Sequence, residues 1–168
     1  YNLEMGAGRE KKASGIAGTG LSSLVIGGII LAAVVLLFLK PLLTLFGATK
    51  DVMPYAVDYT GITALGLPFY ILSVGGNHIV RADRSPTYSM TCVLTGAVIN
   101  TILDPIFIFV CGWGIKGAAW ATVIGQVVSG LLVVLYFCRF RKMYLTKAML
   151  KPEFEYLGSI ISLGLAAC

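Results

Sequence analysis

"NTILDPIFIFVCGWGIKGAAWATVIGQ", residues 100–126, decides how this chain folds. Two apolar runs flank a glycine-rich connection, CGWGIKG, so the stretch predicts a pair of antiparallel helices joined by a tight turn. Working outward, charge-free tracts occur at 13–39, 59–80, 85–103 and 117–138. Each approaches or exceeds the roughly 20 apolar residues that a membrane-crossing helix needs. The expected fold is an all-α, polytopic membrane helical bundle of four transmembrane helices plus the start of a fifth.

Composition agrees. The 168 residues are 57% hydrophobic and 12% charged, with mean hydropathy +0.86, whereas soluble domains carry about 25% charged residues. The excess of Lys and Arg sits in short clusters between the apolar tracts, which is a topology signal rather than a nucleic-acid groove. Ten cations (Arg9, Lys11, Lys12, Arg81, Arg84, Arg139, Arg141, Lys142, Lys147, Lys151) fall on one side of the alternation, and Lys40, Lys50 and Lys116 on the other. The positive-inside rule then places the N-terminal segment, the 81–84 loop and the 139–156 segment in the cytoplasm. Both ends look cut, since the chain opens on Tyr1 and closes within an apolar run, so the remainder of a longer polypeptide is an expected partner.

The four scattered cysteines lack CxxC or Cys/His spacing and suit neither structural zinc nor a disulfide framework. "GAGRE" lacks the strand before and the GK[ST] after that a phosphate loop needs. An aspartyl protease needs two carboxylates sharing a proton, but Asp58 lies near the outer end of its span, far from Asp104 in the chain. His78 is the lone histidine and fits an interfacial position better than a base. The chain is not expected to be an enzyme.

Asp104 is the residue that asks for a function. A carboxylate at mid-membrane costs roughly 3 kcal/mol on insertion scales, so it pairs, protonates or works. Asn100 lies four residues earlier on the same face. Pro105 has no N–H, which leaves the carbonyl of Thr101 unpaired one turn back. On a straight helix Asp104 lies roughly 12 Å below the turn at Gly112, and on the returning helix Thr122 lies roughly 8 Å deep and Gln126 roughly 14 Å. These groups therefore reach one level, with Thr122, Gln126 and Ser129 as a polar stripe. Such a pocket supplies hard oxygen ligands for Na⁺ or a proton-bearing water. The rival reading is a buried Asp that only hydrogen-bonds across helices. Small residues at Gly117, Ala121, Gly125 and Ser129 recur every four positions, a spacing that admits close helix approach. Pro68 predicts a kink in the second span.

Together, "YNLEMGAGREKKA", "HIVRADRSPTYSM" and the opening stretch resemble the multidrug and toxic compound extrusion (MATE) transporters. The resemblance implies twelve helices in two six-helix lobes. Residues 1–140 would be the third to sixth helices of the N-terminal lobe, 141–156 a cytoplasmic inter-lobe connection, and 157–168 the truncated start of the next helix. It further implies an H⁺- or Na⁺-coupled antiporter in the lipid bilayer of a prokaryotic plasma (inner) membrane, exporting small-molecule, often cationic, organic compounds. In some prokaryotic members of the family an Asp on the first helix, an Asn and Asp four apart on the fifth and a Thr on the sixth hold the coupling ion. The first-helix Asp lies outside this sequence. The other positions match Asn100, Asp104 and Thr122, with Gln126, Ser129 and Thr101 as pocket lining. No cofactor, nucleic acid or metal other than Na⁺ at Asp104 is implied. Arg84 stands where many relatives have Gly. A lipid-linked oligosaccharide flippase would show several cations lining its cavity, and none of the four tracts contains Lys or Arg. A non-transporting membrane assembly subunit would tolerate loss of the Asp104 charge.

Overall fold

The computed structural model describes residues 10–139, and over that range the chain is helical without strands. Helix α1 (Glu10–Leu37) is followed by a short α2 (Leu39–Leu45), a long α3 (Met53–Ala82), α4 (Pro86–Pro105), a π-helical turn (Ile106–Val110) and α5 (Gly114–Arg139). Four of these are long and apolar enough to cross a membrane, and the chain is a multi-pass membrane bundle. The segments expected at 141–156 and 157–168 lie outside the described residues.

Helices run past the charge-free tracts. α3 begins at Met53, with Asp58 inside it and Pro54 in its first turn, where a missing N–H costs nothing. α3 is continuous through Pro68, and α1 packs directly over that point: a Cβ on Gly28 would lie 2.7 Å from the Pro68 Cα. Gly28 thus lets α1 cover the backbone that proline disturbs. α4 departs most from expectation. After Pro105 the ladder shifts, and Cys111 N–H donates to the Ile106 carbonyl five residues back at 2.9 Å. The straight-helix depth therefore stops applying at Pro105. Gly112 and Gly114, at φ +68° and +55°, then turn the chain into α5.

Tertiary contacts fix which ends lie together. Lys116 Nζ sits 3.3 Å from Asp58 Oδ2, joining the starts of α3 and α5. At the other end Tyr136 O–H donates to Asp83 Oδ2 at 2.6 Å and lies 2.7 Å from Ser85 Oγ, tying the end of α5 to the α3–α4 turn. The alternation read from charge is thus the alternation of the fold. Between these ends α3 and α5 make the most extensive pairing, with α4 and α1 on either side. The dense core of Leu72, Val80, Cys92, Val133 and Phe137 lies toward the Tyr136 end. Large side chains such as Leu37 (79% exposed) and Phe109 (80%) face away from this core.

Two helices end on the same hydrogen-bond pattern with different residues. Gly47 N–H bonds Thr44 O and Ala48 N–H bonds Leu43 O, with Gly47 at φ +85°. At the end of α3, Arg84 N–H bonds Arg81 O and Ser85 N–H bonds Val80 O, but the left-handed residue is Arg84, at φ +60°. This is the Schellman cap, whose left-handed position favours glycine. An exposed L-residue there carries roughly 1 kcal/mol of strain. Arg84→Gly is therefore expected to stabilise the protein by about 1 kcal/mol. Thermal unfolding of the full-length protein in detergent would register it as a higher midpoint. An unchanged or lower midpoint would mean that the Arg84 side chain offsets its own strain.

Candidate functional site

Asn100 on α4 faces Thr122 on α5, with Asn100 Nδ2 3.4 Å from Thr122 Oγ1. The Thr122 hydroxyl proton is committed to the Ala118 carbonyl at 3.0 Å. Thr122 Oγ1 can only accept from its neighbour, so the amide must present N–H to it. The Asn100 carbonyl oxygen is thereby turned away, free to meet a ligand. Thr122 orients Asn100 and keeps a lone pair of its own.

One turn along α4, Asp104 is half-buried, and its Oδ1 is fully enclosed with no hydrogen-bond partner. A buried carboxylate oxygen without a donor is costly and needs an explanation. Among the described residues no three His, Cys, Asp or Glu side chains group to hold a metal ion. A carboxylate beside neutral oxygens is a donor set suited to a proton or a hard cation such as Na⁺.

Asn100 and Thr122 lie on the wall of a cleft of about 380 Å³ between α3, α4 and α5. Gln126 and Ser129 also line it, whereas Thr101 and Asp104 do not. Thr101 is exposed, and its hydroxyl donates to the Ala97 carbonyl at 2.9 Å. Ser129 meets Ser73 of α3, hydroxyl to hydroxyl, at 2.6 Å. Gln126 presses against α3 at Gly66, where any Cβ would overlap its Oε1, an atom buried without a partner.

The α3 wall was missed. Asn77 donates to the Ser73 carbonyl at 2.8 Å, which leaves its buried Oδ1 unpartnered. Arg81 Nε donates to Ser89 Oγ at 3.0 Å and lines the mouth beside His78 and Tyr70. Charge-free tracts assign Arg81 to the end of a span and His78 to the interface, whereas both border the cleft. The signal was present: Ser73, Asn77 and Arg81 are spaced by four and share one helix face.

Close backbone approach holds the two liganding helices together. A Cβ on Gly96 would come within 2.8 Å of the Gly125 carbonyl oxygen, and one on Gly125 within 2.8 Å of the Gly96 oxygen. The small-residue face of α5 is thus turned into the protein, with Ala121 buried beside it.

Comparison with known proteins extends over most of the chain. The MatE family model matches residues 3–106. The multidrug export protein MepA of Staphylococcus haemolyticus is 33% identical over 147 residues, which cover 87% of this chain and 32% of that protein. MepA of Staphylococcus aureus (strain NCTC 8325) is 31% identical over 148 residues, 85% of this chain and 33% of the other. The chain spans about a third of the length of these curated relatives. Among solved structures, an inward-facing multidrug resistance MATE family transporter of the MOP superfamily superposes with TM-score 0.86 at 28% identity, over 97% of this chain and 38% of that one. A MOP superfamily transporter from Pyrococcus furiosus, described as having a binding pocket of reverse polarity that suggests a different function, gives TM-score 0.85 at 28% identity over 98% and 37%.

Proposed function

The chain belongs to the MatE family, and on that premise we propose that it is the part of a multidrug exporter that couples efflux to inward flow of H⁺ or Na⁺. The observation that carries the proposal is the enclosed, unpartnered Oδ1 of Asp104, one helical turn from an amide oxygen that Thr122 turns toward open space. Asp104 takes the cation. Asn100 supplies a neutral oxygen, and Thr122 orients Asn100 and offers a lone pair. Loading neutralises the carboxylate and removes its burial cost, so the loaded and empty sites favour different helix arrangements. Alternating access follows when the other ligand prefers the opposite arrangement.

The exported compound is a small organic molecule, often cationic, taken up by the cleft where Tyr70, Asn77, Asn100 and Gln126 line the wall and Arg81 and His78 border it. The side bearing the 81–84 loop is cytoplasmic by the cation asymmetry, in a prokaryotic plasma membrane. The reading is of transport, with no catalytic step assigned. Reconstitution of the full-length protein in proteoliposomes, with pH and Na⁺ gradients imposed separately, tests it. Efflux of an organic-cation dye should rise under one gradient and stay at the leak rate without either. Efflux indifferent to both gradients would refute the coupling.

A further inference from the structure

A second polar cleft, of about 690 Å³, lies at the opposite end of the bundle from the Tyr136 cluster, between α2 and the start of α3. Lys40, Thr44 and Lys50 line it, over an apolar floor of Pro54 and Val57. Asp58 lines it too, but the Lys116 ammonium at 3.3 Å already balances that carboxylate. Lys40 and Lys50 form no ion pair among the described residues. Lys40 and Thr44 are one turn apart on α2, and the Thr44 hydroxyl donates to the Lys40 carbonyl at 3.0 Å, which fixes that face. The cleft therefore presents two ammonium groups outside any ion pair, with the exposed Asp51 next to Lys50 in the chain, at the level where α1 leaves its span at Leu37.

The surroundings are apolar and outward-facing. Leu37, Phe38, Leu45 and Phe46 are 79%, 55%, 79% and 83% exposed. Cations beside large apolar side chains on a short segment suit the boundary between headgroups and acyl chains. Tyr55 and Tyr59, both exposed on the next helix, fit the same aromatic level.

We propose that this cleft seats the phosphate of an anionic phospholipid, held by Lys40 and Lys50, with its acyl chains running down past Leu45 and Phe46. Ammonium groups bind phosphate as compact point charges and need no forked geometry. A free phosphate would satisfy the lysines but leave the adjoining apolar side chains uncovered. A lipid satisfies both.

The test uses the full-length protein, delipidated in detergent and titrated with phosphatidylglycerol or phosphatidylcholine of identical chains, with binding read by native mass spectrometry. Phosphatidylglycerol should bind more tightly. Each of Lys40→Gln and Lys50→Gln should weaken it about fivefold, and the pair about 25-fold, from the per-charge attraction of basic residues to anionic lipid. Phosphatidylcholine binding should not change, and Lys40→Arg, which keeps the charge and serves as the folded control, should hold the lipid. Equal affinity for the two lipids overturns the proposal, as does a double variant that keeps its phosphatidylglycerol. Displacement of the lipid by millimolar glycerol phosphate would assign the site to a soluble anion instead. A lipid-independent dimer through this face would assign it to a second copy.

Discussion

Asp104→Asn is expected to abolish cation-driven efflux by the full-length protein while leaving it folded. The substitution keeps the size of the side chain and its acceptor oxygen but removes the charge that a cation would neutralise. If loading relieves roughly 3 kcal/mol of buried charge, it shifts the balance between two helix arrangements by roughly 100-fold. The variant has no such term, so its rate under a gradient should fall by roughly that factor, toward the leak rate. Stability moves the other way or not at all, because the enclosed Oδ1 currently has no donor. Loss of coupling with an unchanged or raised unfolding midpoint separates a working carboxylate from a structural one. Asn100→Ala and Thr122→Ala remove one neutral group each, worth about 1 kcal/mol, and should cost roughly tenfold or less. Thr122→Ser keeps the hydroxyl that orients Asn100 and should restore most of it. Wild-type efflux by Asp104→Asn under the same gradient would return the residue to the structural reading.

What could be read from the sequence follows from what a membrane imposes. Lipid demands long apolar helices, and charge asymmetry orders their ends, so four spans and their alternation were legible before any contact was known. The ends of the helices were not, because Asp58 and Arg81 lie inside α3, where Lys116 pairs with the one and the Ser89 hydroxyl accepts from the other. The π-helical turn was half legible. Pro105 announces a break in the ladder, but whether the chain repairs it by a kink, a 3₁₀ step or a π turn depends on what packs against it. Here Gly117 of α5 abuts the Phe107 backbone, closer than any Cβ would allow.

The site divides along the same line. Asn100, Asp104 and Thr122 are placed by helix periodicity and a short turn, both local, and α4 and α5 bring Asn100 to Thr122 as that geometry requires. Ser73, Asn77 and Arg81 depend on how α3 rotates against α5, which is set by Gly66 under Gln126 and by the Ser73–Ser129 contact. Their spacing by four marks one helix face, but which neighbour that face meets is a long-range choice that no window of sequence contains. Arg84 is the converse case. Its left-handed backbone explains why glycine suits the position, and the tight turn keeps its shape with the less favourable residue.

Gly125→Ala should be among the most damaging single-methyl changes in the described bundle. The added Cβ would lie 2.8 Å from the Gly96 carbonyl oxygen and 3.1 Å from the Asn100 Cβ. The first of these is backbone of a helix that cannot yield alone, so α4 and α5 must separate. Overpacking of this kind costs about 1–3 kcal/mol, and Gly125→Leu should exceed it. The same methyl at Gly27, where nothing lies within 4 Å, should be neutral or mildly stabilising. Thermal unfolding of the two alanine variants in one detergent compares them directly. Separation of the helices also has a functional reading. Asn100 lies one turn beyond Gly96, and Thr122 lies just under one turn before Gly125. The 3.4 Å contact that orients the amide is therefore set by this crossing. Gly125→Ala should then lose coupling as well as stability, even at temperatures where it remains folded. If it unfolds at the wild-type midpoint, the crossing is looser than the backbone contact implies, and Asn100 must be oriented by something other than Thr122.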